Sequence, residues 1–173
     1  ETSRFTTIKG ETLRSSGQGL DLATAIKAGQ AISGEIELDR LLATLLAVTI
    51  ESAGADAGAF VDLRGDQPVV VAACRPGETV QVFAGLPLDE SDHLARSVAR
   101  YVLRTGTTVL IADAQAAGQF RGDRYLQQQG VRSVLCAPIS HHGAVTALLV
   151  LENREVAGAF TPDRLEILNL LSG

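Results

Sequence analysis

The sequence predicts an α+β fold in which helices pack on an antiparallel sheet. Three observations carry this. Apolar residues recur with a helical period in some stretches and run as short β-rich segments in others. Two strand pairs are joined by short turns, "RGDQP" and "SHHG", which fit hairpins and not crossovers. The elements run α α β β α β α β β α, with hairpins at both ends of the strand series.

Residues 1–19 are polar and rich in Ser, Thr and Gly, as a tail or linker is. Residues 20–34 read as a connecting helix. Asp21 stands at its N-cap, and Leu22, Ala25, Ile26, Gly29 and Ile32 share one face. The globular domain is expected over residues 35–173. It opens with a helix in "IELDRLLATLLAVTIESAG". Leu38, Leu41, Leu42, Leu45, Leu46, Thr49 and Ala53 form its stripe, and Gly54 stands where the chain leaves it.

The period then changes. "AGAFVDL" and "PVVVAACR" are β-rich runs around a turn. "GLPLDESDHLARSVARYVLRTG" reads as a helix capped by Asp89, Glu90, Ser91 and Asp92 and closed by Gly106. "TTVLI" is a brief strand, "ADAQAAGQFRG" a loop, and "DRYLQQQG" a short helix ended by Gly130. "RSVLCAPI" and "AVTALLVLE" form a second hairpin. "FTPDRLEILNLL" is a last helix, with Thr161 at its cap and Pro162 in its first position. The chain holds no methionine and stops partway along that helix, so it is expected to be a piece of a larger protein.

Composition narrows the function classes. Apolar residues make up 46% and charged residues 20%, a globular balance. A net charge of -5 without a basic cluster argues against nucleic acid. The apolar runs are strand length, well below the roughly 18 residues of a membrane span. Cys74 and Cys136 lie far apart on apolar stretches, with neither a disulfide framework nor a zinc spacing, so a reducing cytoplasm is expected.

"SVLCAPISHHGAV" gathers Cys136, His141 and His142, a set that could hold a metal or a thiol nucleophile with its base. The strand pattern favours a plainer reading: Cys136 is a core residue, and the two histidines sit at a turn that Gly143 completes.

The stretches "LLATLLAVTIESAGADAGAFVDL", "SVARYVLRTGTTVLIADA", "GVRSVLCAPI", "GAVTALLVLEN" and "AFTPDRLEILNLL" resemble a GAF domain, a small-molecule sensor module of signalling proteins. With "DLATAIKAGQAISGEIELDRLL" upstream, the chain looks like the GAF domains of large bacterial sensor kinases. Those also carry a serine/threonine-kinase-like region, an ATPase region and a histidine kinase. The resemblance implies a central antiparallel sheet of five to six strands, helices packed on one face, and a ligand pocket on the other. Residues 76–93 and 112–130 would roof that pocket. It also implies a homodimer paired through the flanking helices, with kinase domains adjacent in the parent chain.

On that expectation the candidate ligand-binding residues are His93, Arg96, Asp113, Phe120, Arg121 and Tyr125. His93 and Arg96 stand near the pocket mouth. The loop carrying the other four mixes aromatic, acidic and basic groups among glycines, as a lid does. No catalytic residue and no metal ligand is assigned, and the sequence names neither ligand nor cofactor. Neither roof segment contains a cysteine for a bilin. Asn153-Arg154, Phe160 and Asp163-Arg164 are the nearest match to the cyclic-nucleotide signature of the family, but Arg154 replaces its Lys, Arg164 replaces its acid, and the Phe-to-Asp gap is one residue short. Three alternatives stay open: a structural dimerisation domain whose pocket its own side chains fill, a haem or redox sensor acting through His93, and an enzyme.

Overall fold

The computed structural model describes residues 31, 33–116 and 118–163. The chain divides into two compact units, Glu1–Arg40 and Leu41–Gly173. The expected tail, connecting helix and last helix lie outside the described residues, apart from residues 31, 33 and 34 and residues 160–163, of which 162–163 are helical.

In the first unit, residues 33–40 are helical. The second opens with helix α1, residues 41–53. Six strands follow: β1 (Ala57–Asp62), β2 (Val69–Cys74), β3 (Gln81–Pro87), β4 (Val109–Ile111), β5 (Ser133–His141) and β6 (Ala144–Asn153). They form one antiparallel sheet in the order β3-β2-β1-β6-β5-β4. Helix α2 (Arg96–Thr105) lies between β3 and β4 in sequence, and α3 (Arg124–Gln128) between β4 and β5.

Strand alternation divides the core. Ala59, Val61, Leu148 and Val150 point to the face where Val98, Ala99 and Val102 of α2 and Leu126 of α3 are buried. Leu149, Leu151 and Leu135 point to the opposite face and meet Leu46 and Ala53 of α1 together with Phe160. Each fully buried leucine contributes about 1.5 to 3 kcal/mol, so α1 is held by Leu46 and its neighbours and not by helix propensity. Gly58 permits a close approach on that face. A Cβ there would lie 3.0 Å from Leu151 Cδ2, 3.0 Å from the Val150 carbonyl oxygen and 3.1 Å from Ile50 Cγ1.

The hairpin of β5 and β6 has the turn expected of it. His142 and Gly143 both adopt positive φ, 51° and 80°, as a two-residue primed turn requires. Cys136 is fully buried on β5, and burial pushes its thiol up to about 12.

Two expectations change. Gly85–Pro87, placed at the start of a helix, instead end β3. This is an edge strand, where Pro87 needs no ladder donor, and its pairing with β2 shifts register between Val70 and Ala72. The acidic run then forms a 3-10 turn, Leu88–Glu90, and α2 begins only at Arg96, with Ala95 supplying no side-chain cap. The Ser91 hydroxyl accepts from the His93 N–H (3.2 Å), so it serves the loop and not the helix.

Candidate functional site

A pocket of about 440 Å³ lies beside β4 and the loop that follows it. Val109 and Ile111 of the strand and Phe120 of the loop supply apolar wall. Phe120 is braced edge-on against Tyr101 of α2, with ring centroids 5.6 Å apart and an interplanar angle of 87°. Asp113 and Arg121 are the charged groups of the lining.

The loop is held at both ends by its own polar side chains. Asp113 accepts two hydrogen bonds from Arg132, both 3.1 Å, and one from the Gln115 N–H at 3.1 Å. The Arg132 guanidinium, then the Gln115 amide, holds the Asp113 carboxyl below its usual range. Gln115 donates to the carbonyls of Leu126 (3.1 Å) and Val131 (2.9 Å). At the far end Asp123 caps α3 by accepting from the Leu126 N–H (3.1 Å), and Ser97 of α2 donates to the same carboxylate. The exposed Arg121 guanidinium has no ion pair among the described residues.

The six sequence-predicted residues therefore fall into three places. Asp113, Phe120 and Arg121 line the pocket. Arg96 is exposed on α2 and donates to the Asp89 carbonyl, while Arg100 pairs with the Asp89 carboxylate. His93 and Tyr125 lie together elsewhere, because the Tyr125 hydroxyl reaches the His93 carbonyl at 3.1 Å. The His93 ring packs on Phe83 (centroids 5.1 Å apart), with Nε2 3.5 Å from Asp92. Burial, then the Arg75 charge, lowers its pKa.

Tyr125 also marks a cluster that the sequence analysis did not single out. Its hydroxyl lies 2.9 Å from Glu152 Oε2, and Arg154 donates to the same oxygen at 3.1 Å. Arg154 further holds Asp56 through Nη1 (3.0 Å) and its backbone N–H (2.8 Å). Glu152 is 1% exposed. The signal was present: two-residue alternation puts Glu152 on the face of Leu148 and Val150. Among the described residues, no group of three or more His, Cys, Asp and Glu side chains could hold a metal ion.

With the fold and pocket in view, comparison with known proteins places the chain. The family model of the GAF domain matches residues 37–173, most of the chain. The chain is a GAF domain.

Among its relatives, hybrid signal transduction histidine kinase G of Dictyostelium discoideum is 37% identical over 84 residues, 49% of this chain and 2% of that protein. A peroxide stress-activated histidine kinase of Schizosaccharomyces pombe is 28% identical over 155 residues, 88% of this chain and 6% of that protein. The chain thus spans only a small part of the kinases it matches, and both are eukaryotic. The structure of the GAF domain region of a Geobacter sulfurreducens membrane protein aligns with a TM-score of 0.60 at 17% identity. It covers 83% of this chain and 93% of that one. That likeness is one of fold. Among the described residues, no helix of this GAF domain is long and apolar enough to cross a membrane.

Proposed function

We propose that this GAF domain is the small-molecule-sensing module of a cytoplasmic histidine kinase, and that ligand occupancy biases a helical dimer. The observation that carries the sensing half is the pocket beside β4. Its volume suits a small metabolite, and its lining combines apolar walls with few polar groups. Asp113 is already satisfied by Arg132, which leaves Arg121 as the lining cation free to meet a ligand. A compact organic anion, with its apolar part against Ile111 and Phe120, fits this arrangement.

The dimer half is supported by α1. Leu46, Thr49 and Ala53 are buried, while Leu41, Leu45 and Val48 are 55%, 42% and 55% exposed. The exposed three follow the four-then-three spacing of a coiled-coil seam. Relatives that are histidine kinases support a parent of that class.

The sensing half is tested by thermal shift against a panel of small carboxylates and phosphates. A true ligand at one hundred times its Kd stabilises the fold by about 2.7 kcal/mol. Phe120→Ala and Arg121→Ala should each remove the shift without unfolding the domain. A shift unchanged in both variants would place the ligand elsewhere.

A further inference from the structure

The end of β6 carries a buried carboxyl that the pocket beside β4 does not use. Glu152 Oε2 accepts from Tyr125 and Arg154, but Oε1 is buried with no hydrogen-bond partner among the described residues. The charges around it do not balance. Among the described residues Arg154 is the one cation touching both Glu152 and Asp56, so an ionised Glu152 leaves one net negative charge among these three groups. A bound proton removes that charge.

The cluster joins four parts of the fold. Asp56 comes from the turn before β1, His93 from the loop before α2, Tyr125 from α3, and Glu152 and Arg154 from β6 and the residue beyond it. The Tyr125 hydroxyl has one hydrogen and two acceptors in reach, Glu152 Oε2 at 2.9 Å and the His93 carbonyl at 3.1 Å. We propose that Glu152 is a proton-binding site, and that its occupancy switches the Tyr125 hydroxyl between β6 and the loop carrying His93.

The switch follows from acceptor strength. An ionised carboxylate outcompetes a neutral carbonyl for the hydroxyl hydrogen, so α3 is tied to β6. A protonated carboxyl is the weaker acceptor, and the hydrogen turns to the His93 carbonyl. The tie then runs from α3 to the loop before α2. No ligand is needed for either state, so the proton site stands apart from the sensing role proposed above.

The electrostatics agree with this geometry. Burial pushes the Glu152 carboxyl up to about 7, against the opposing pull of Arg154 and Tyr125, and Asp56 adds to the rise. Tyr125 is held protonated, its hydroxyl raised by burial and then by Glu152. His93 is shifted down by burial and Arg75, while Asp92 and Glu78 oppose that shift. The folded value of Glu152 thus lies above the usual carboxyl value of 4.5. The bound proton stabilises the fold fully below that usual value, and the contribution is lost as pH rises through about 7.

Infrared spectroscopy of the 173-residue chain, titrated from about pH 5 to about pH 9, reads the site directly. A carbonyl stretch of a protonated carboxylic acid should persist to neutral pH, disappear with a midpoint near 7, and be absent from Glu152→Gln. Tyr125→Phe removes a donor to the carboxylate, so proton affinity should rise about tenfold and the midpoint should move up. If Glu152→Gln fails to fold, the Tyr125→Phe midpoint still decides. No such band above about pH 5.5 would overturn the proton site, and a midpoint unmoved by Tyr125→Phe would overturn the switch.

Discussion

Two arginines form pairs of similar geometry and very different worth. Arg64 reaches Asp62 at 2.8 Å but its side chain is 75% exposed. Arg154 reaches Asp56 at 3.0 Å and Glu152 at 3.1 Å with its side chain 16% exposed. An exposed pair contributes at most about 1 kcal/mol, whereas removing one partner of a buried pair costs about 3 kcal/mol or more. Arg154→Ala should therefore destabilise several times more than Arg64→Ala in urea denaturation. Its effect should also depend on pH. Arg154 lowers the Glu152 pKa, so without it the carboxyl keeps its proton to higher pH. The deficit should be smallest in acid, where Glu152 is neutral in both proteins, and should grow as pH rises through about 7. Equal losses for the two variants at every pH would contradict the buried cluster. Glu152 and Arg154 were hard to find in sequence because a glutamate at the end of "LLVLE" looks like a strand terminus. Alternation gives its face, but the pairing of β6 between β1 and β5 is what keeps the residue inside the sheet.

Among the elements, those read correctly had strong local signals. The repeat of α1, the β5–β6 turn and the Gly106 end of α2 each depend on residues within one or two turns of chain. The misread stretch, residues 85–95, depends on distant partners. "QVFAGLP" becomes a strand because β2 offers it an edge, and the acidic run after it looks like a cap although the helix starts later. The α1–sheet contact is similarly non-local. Gly58 is unremarkable in sequence, yet its missing Cβ lets Ile50 approach β1. Gly58→Ala should destabilise by about 1 to 3 kcal/mol through overpacking against Leu151 and the Val150 carbonyl, which cannot move aside cheaply. Gly118→Ala is the control, because a Cβ there meets nothing within 4 Å. Thermal melts that rank the two variants equally would contradict this packing.

For the whole molecule, the candidate site was legible by residue type but not by place. The loop of Asp113, Phe120 and Arg121 was visible as a mixed, glycine-punctuated segment, and the structure sets all three around one pocket. That His93 and Tyr125 belong to a different cluster could not be read, since the tie between residues 93 and 125 is a single hydrogen bond across the fold. The division of the α1 stripe into a buried and an exposed face was hidden in the same way. Leu42 and Leu46 differ from Leu41 and Leu45 only in which side meets the sheet.

That exposed face and the pocket meet in the proposed ligand-occupied dimer, and native mass spectrometry of the 173-residue chain reads both in one sample. The expected species is a dimer that carries the added mass of a small molecule. Leu41→Asp, Leu45→Asp and Val48→Asp combined should give a folded monomer, because none of the three supports the core. A wild-type chain found only as a bare monomer at high micromolar concentration would contradict a ligand-occupied dimer.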